Sequence, residues 1–74
     1  MVSYDNGQFA EMLRMQRAKA NISQASLAMR TGINAVTISQ YEQGARVPGV
    51  DKVFALAQAL DCTPNDLLGW RDAR

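Results

Sequence analysis

Histidine is absent from the 74 residues, cysteine occurs once, and no pair of acidic residues stands at a spacing forced by its element. The commonest general base is therefore missing, Cys62 has no partner for a disulfide within the chain, and no cluster suited to a metal ion can be assembled. A glycine-rich phosphate loop is missing as well, so no enzyme, cofactor or small-molecule ligand is expected. No apolar run reaches the length of a membrane span, nothing at the start has the layout of a signal peptide, and no low-complexity tract occurs. These absences predict a cytoplasmic, folded chain. Strong charge is lacking too: eight Lys and Arg face seven Asp and Glu, for a net charge of +1. A weak net charge argues mildly against a nucleic-acid partner. The distribution softens this, because Arg14, Arg17, Lys19, Arg30 and Arg46 against Asp5, Glu11 and Glu42 leave residues 1–46 at +2 and residues 47–74 at −1.

What remains is 47% hydrophobic and 20% charged residues in a length that allows one domain with one small core. The expectation is a single domain over 1–74, with its core from about 8 to 70, a loose N-terminal lead-in and a C-terminal tail. The most informative stretch is Ser23 to Gly44, SQASLAMRTGINAVTISQYEQG. Ser23 is a good N-cap, although Ser26 stands where a capping box would want Glu or Gln. Gly32 follows the apolar-patterned run Ala25, Leu27, Ala28, Met29 and supplies positive φ at a helix end, and Asn34 caps a second helix two residues later. Leu27, Ala28, Ile33, Ile38 and Tyr41 fall where two steeply crossing helices would share a core, with the small Ala28 at the close approach. Ala35, Val36, Ser39 and Gln40 then lie on or near the opposite side of the second helix. Local features alone do not separate a DNA-reading pair of helices from any other helical hairpin.

Around this unit the pattern predicts helices over about Gly7 to Ala20, Gln24 to Arg30, Ala35 to Gln43, Val50 to Leu60 and Pro64 to Leu68. The first places Phe9, Leu13 and Ala20 on one stripe. Asn21 ends it and Ile22 turns inward. Pro48 and Gly49 open a loop, and Val53, Leu56, Ala57 and Leu60 share the inner side of the fourth helix. Thr63, Pro64 and Asp66 give the last helix a cap, a first-turn proline and an acid at its positive end, and Gly69 ends it with Trp70 folding back. Cys62 is expected to fill an apolar site between the last two helices.

The chain resembles the phage-repressor-like (Cro/cI or Xre-type) helix-turn-helix family from about Phe9 to Leu68. The resemblance is carried by Ser23-Gln24, Leu27-Ala28, Thr31-Gly32-Ile33, Thr37-Ile38-Ser39, Tyr41-Glu42-Gln43-Gly44, Arg46 with Pro48, Ala57 with Leu60, and Asp66-Leu67-Leu68. Several independent segments at the right mutual spacing make a specific signal. It implies an all-α, compact five-helix lambda-repressor-like fold, with helices 2 and 3 as the helix-turn-helix. It also implies a transcriptional regulator, a repressor bound as a homodimer to a palindromic operator in double-stranded DNA. The alternative on the same scaffold is an antitoxin or adaptor whose partner is a protein.

Under this resemblance, Gln24 and Asn34 stand where the family touches phosphate; the alternatives are a solvated Gln24 and an Asn34 that only caps. Base reading falls to Ala35, Val36, Ser39 and Gln40. An exposed Gln can bond adenine N7 and N6 together, and the methyl groups of Ala35 and Val36 suit thymine methyls. The family often has longer polar residues at 35 and 36, so more of the specificity here is expected from DNA shape. Thr37 and Ser39 can add hydroxyl bonds, and Gln43 with the Gly44 amide, and Arg46, are candidate phosphate contacts. Arg14, Lys19 and Arg30 are assigned to a solvated face. The family pairs an arginine in helix 1 with a glutamate late in helix 3, here Arg17 and Glu42, which would orient Arg17 toward a phosphate; the alternative is two separate surface charges. Phe54, Leu68 and Trp70 exceed what the core stripe needs and are the dimer candidates, with core closure the preferred role for Leu68.

Overall fold

The computed structural model describes residues 6–69, which form five helices: α1 (Asn6–Ala20), α2 (Gln24–Thr31), α3 (Ala35–Glu42), α4 (Val50–Ala59) and α5 (Pro64–Leu68). The expected lead-in and tail, and the placement of Trp70, lie outside the described residues. The helix ends follow local chemistry. Ser23 Oγ accepts from the Ser26 amide at 3.0 Å, and Asn34 Oδ1 accepts from the Val36 amide at 2.8 Å. Between them, α2 runs one residue beyond expectation because Thr31 Oγ1 donates to the Leu27 carbonyl at 2.8 Å and accepts from the Ile33 amide at 3.1 Å. Gly32 then takes φ 74°, and its amide closes on the Ala28 carbonyl. Asn21 also adopts positive φ, as expected of the residue that ends α1.

At α5 a full capping box forms. Thr63 Oγ1 accepts from the Asp66 amide, and the Asp66 carboxylate accepts from the Thr63 amide at 2.9 Å. That backbone bond is the main reason the Asp66 carboxyl sits below its usual range.

The core gathers one stripe from each helix: Phe9 and Leu13, Leu27, Ile38 and Tyr41, Val53, Leu56 and Ala57, and Leu67, with Ile33 and Leu60 from the junctions. Ile22, Ala28 and Cys62 pack against its edge. Burial pushes the Cys62 thiol up, with Asp66 and Asp61 adding to the effect, so it stays protonated at neutral pH. Phe9 and Tyr41 meet edge to face, ring centres 6.3 Å apart, and so join α1 to α3. Ala20 departs from expectation and is exposed, since the last turn of α1 runs past the core; Ala10 is buried instead. Leu68 is likewise not a core residue, because it is 39% exposed while its neighbour Leu67 takes the inward position. Among the described residues, no helix is long and apolar enough to cross a membrane.

Candidate nucleic-acid interface

The geometry of α3 is set by the carboxylate at its last turn. Glu42 is 5% exposed, and it lies at the helix C-terminus, where the dipole disfavours a negative charge. It is held there by cations and amides from two other helices. Arg17 Nε donates to Glu42 Oε2 at 2.6 Å, Arg17 Nη2 donates to Oε1 at 3.1 Å, and Gln24 Nε2 donates to Oε1 at 2.9 Å. Arg14 donates to the Glu42 backbone carbonyl, one of the end carbonyls that lack a partner within the helix. Burial by itself would raise the Glu42 carboxyl, but the bonds from Arg17 and Gln24 and the charges of Arg17 and Arg14 outweigh it and hold the group low. The bond to Glu42 raises Arg17 in turn, against a smaller opposing effect of burial.

One buried carboxylate thus ties α1, α2 and α3 together. Arg17 Nη1 also donates to the Ile22 carbonyl at 3.0 Å, which pins the α1–α2 connection to the same knot. Arg17 and Glu42 are therefore not separate surface charges, and Gln24 is not a merely solvated side chain. Arg14, expected on a solvated face, serves the end of α3 instead. The spacing Arg14, Arg17 put both on one side of α1 and was the available signal; nothing in the sequence indicated that Gln24 would reach Glu42.

With its inner side so held, α3 turns Ala35 and Val36 outward, Val36 being 66% exposed. Thr37, Ser39 and Gln40 are half-buried along the edges, and Asn34, Gln43 and Arg46 are exposed at the two ends. Two bonds brace this surface: Gln43 Nε2 donates to Ser39 Oγ at 3.2 Å, and Arg46 Nη1 donates to Gln40 Oε1 at 3.3 Å. Phe54 lies apart from these residues on α4 and is 59% exposed. The result is a short, largely uncharged ridge with amides and a cation at its margins. Such a ridge fits a DNA major groove, which admits a helix and offers methyl groups and hydrogen-bonding edges.

A helix-turn-helix family profile matches residues 13–67. The chain belongs to that family. Its likeness is to the Cro/cI and Xre type: Repressor protein C2 of Salmonella phage P22 is 40% identical over 58 residues, covering 78% of this chain and 27% of that protein. The HTH-type transcriptional regulator DicA of Escherichia coli (strain K12) is 36% identical over 58 residues, covering 78% of this chain and 43% of DicA. The helix-turn-helix chain thus spans less than half the length of these curated relatives. Among solved structures, the restriction-modification controller protein C.AhdI from Aeromonas hydrophila matches with a TM-score of 0.82 at 32% identity, over 85% of this chain and 96% of that one. The P22 c2 repressor in complex with a synthetic operator matches with a TM-score of 0.75 at 38% identity, over 81% and 91% of the two chains.

Proposed function

We propose that this helix-turn-helix chain is a cytoplasmic, sequence-specific DNA-binding transcriptional regulator, a repressor that binds a palindromic operator as a dimer. The observation that carries the reading is the contrast across α3: a buried ionic seat on one side and an open, methyl-rich ridge on the other. A helix fixed this way can enter a major groove without losing further backbone freedom. Ala35 and Val36 meet thymine methyls, while Ser39 and Gln40 address base edges. Asn34 and Gln24 at the helix starts, Thr37, Gln43 and Arg46 face the phosphates. Arg17 spends three of its five N–H groups inside the fold, so its direct phosphate contact is limited to the remaining two. Repression follows from occupancy, because a protein seated on promoter DNA excludes polymerase.

The dimer surface is placed on α4 and α5, where Phe54 and Leu68 are exposed beyond what a small surface needs, with Trp70 as a third candidate. Pairing two copies sets the recognition helices one DNA turn apart. Sedimentation across a concentration series checks this: a monomer at every concentration, with and without operator DNA, contradicts the dimer.

A gel shift of genomic DNA fragments in excess random competitor tests the reading as a whole. Retention of a small set of fragments is expected. No retained fragment, together with capture of a defined protein partner, would favour the antitoxin or adaptor instead.

A further inference from the structure

The knot at the end of α3 holds two guanidinium groups and one carboxylate. Glu42 is matched by Arg17, which donates to both of its oxygens, and Gln24 adds a neutral donor. Arg14 gives one N–H to the Glu42 backbone carbonyl, a partner without formal charge. Among the described residues Arg14 makes no ion pair, so two cations against one anion leave a positive charge over, and it sits on Arg14. The two arginines also differ in reach. Arg14 is exposed, whereas the Arg17 side chain is only 25% exposed. Arg14 keeps four of its five N–H groups beyond the bond to Glu42, and Arg17 keeps two. A fork of parallel N–H donors is the arrangement that a phosphate accepts best.

The carbonyl that Arg14 holds belongs to the last residue of α3, where the chain turns into the loop carrying Gln43 and Arg46. The backbone at this end is poorly suited to an anion. The helix dipole places partial negative charge there. The amides of Gln43, Gly44 and Ala45 donate back to the carbonyls of Ser39, Tyr41 and Gln40, so the Gly44 amide expected at a phosphate is engaged within the fold. Side chains must supply the donors. We propose that Arg14, rather than Arg17, is the cation of α1 that grips a DNA phosphate, at the C-terminal end of α3. The assignment rests on the reading of α3 as the DNA-facing helix. The bond to the Glu42 carbonyl holds the guanidinium in place beforehand, so less side-chain freedom is lost when a phosphate arrives. Arg17 then serves as an internal strut.

The test is the salt dependence of binding to a selected operator and to a random duplex, with the whole chain as wild type, Arg14→Gln and Arg30→Gln, and thermal melting of each. Arg14→Gln should lower the log–log slope by about one unit on both duplexes, so that its loss relative to wild type grows about threefold from about 200 mM to about 50 mM salt. Arg30→Gln removes the same charge from the exposed last turn of α2 and should leave the slope at the wild-type value. A wild-type slope in a folded Arg14→Gln, or a loss confined to the operator, overturns the phosphate contact while leaving DNA binding in place. If Arg14→Gln does not fold, the wild-type protein decides the matter by NMR: the Arg14 Nε–Hε resonance should shift on addition of random duplex while that of Arg30 stays. An Arg14 resonance that does not move overturns the contact. Wild type that binds no duplex at any salt concentration overturns the DNA reading itself, and the contact with it.

Discussion

On the inner side of α3, one carboxylate receives bonds from Arg17 and Gln24 while Arg14 takes the carbonyl of the same residue; on the outer side, Val36 is two-thirds exposed and two long side-chain bonds brace the surface. The first region spends its polar groups on holding three helices in register. The second keeps its groups near water, where a ligand can replace it at low cost. Under the proposed function, the contrast is how a domain with a net charge of +1 would serve DNA. Its cations near α3 are used mainly for orientation, and under the proposed function that orientation is what would make a few methyl groups and amides a reading surface.

The comparison predicts a steep gradient of mutational effects across one helix. Ile38→Ala, at a fully buried site facing the core, should cost about 3–4 kcal/mol in denaturant unfolding; a loss below about 1 kcal/mol would show that the inner side is not the seat. Glu42→Ala should follow at about 2–3 kcal/mol, reduced from the full cost of breaking a buried pair because Arg17 remains 25% exposed. The same carboxylate gives a pH dependence. Its folded-state value is lowered, so the stabilisation is complete above the ordinary glutamate range and is lost as pH falls through the depressed value. Melting temperature should therefore drop below roughly pH 4 in wild type and drop less steeply in Glu42→Gln; equal slopes would remove Glu42 from the account. Gly32→Ala should cost only about 1 kcal/mol, since φ is 74° but the added Cβ meets no atom within 4 Å beyond its own chain neighbours. Smallest of all, Val36→Ala should change stability by less than about 0.5 kcal/mol by thermal melting, and a larger loss would mean the ridge is packed rather than open.

Much of this architecture was legible in local chemistry. Ser23, Gly32, Asn34, Thr63 and Gly69 each mark a helix end because a cap or a left-handed residue acts within a few positions of itself. The core stripe of α4 followed from helical spacing. The errors came from longer range. Ala20 lies on the correct side of α1, but its neighbours there are Leu60, Asp61 and Cys62 at the α4–α5 junction, and they leave it exposed. Leu68 and Leu67 are neighbours with equal claims on the core, and only the packing of α5 on α1 chooses Leu67. Gln24 and Arg14 reach Glu42 from 18 and 28 residues away, and no local rule connects them. The Arg17–Glu42 pair was accessible only through family resemblance. The bond between Arg46 and Gln40 crosses a turn whose shape the sequence left open.

The central claim is that the outer side of α3 reads bases while the rest of the fold only presents it. Titration of wild type and Gln40→Ala against a selected operator and against random duplex at matched salt tests this most directly. Gln40→Ala should bind the operator about tenfold more weakly with its affinity for random DNA unchanged. Equal losses on both duplexes, or no loss on either, would contradict the claim.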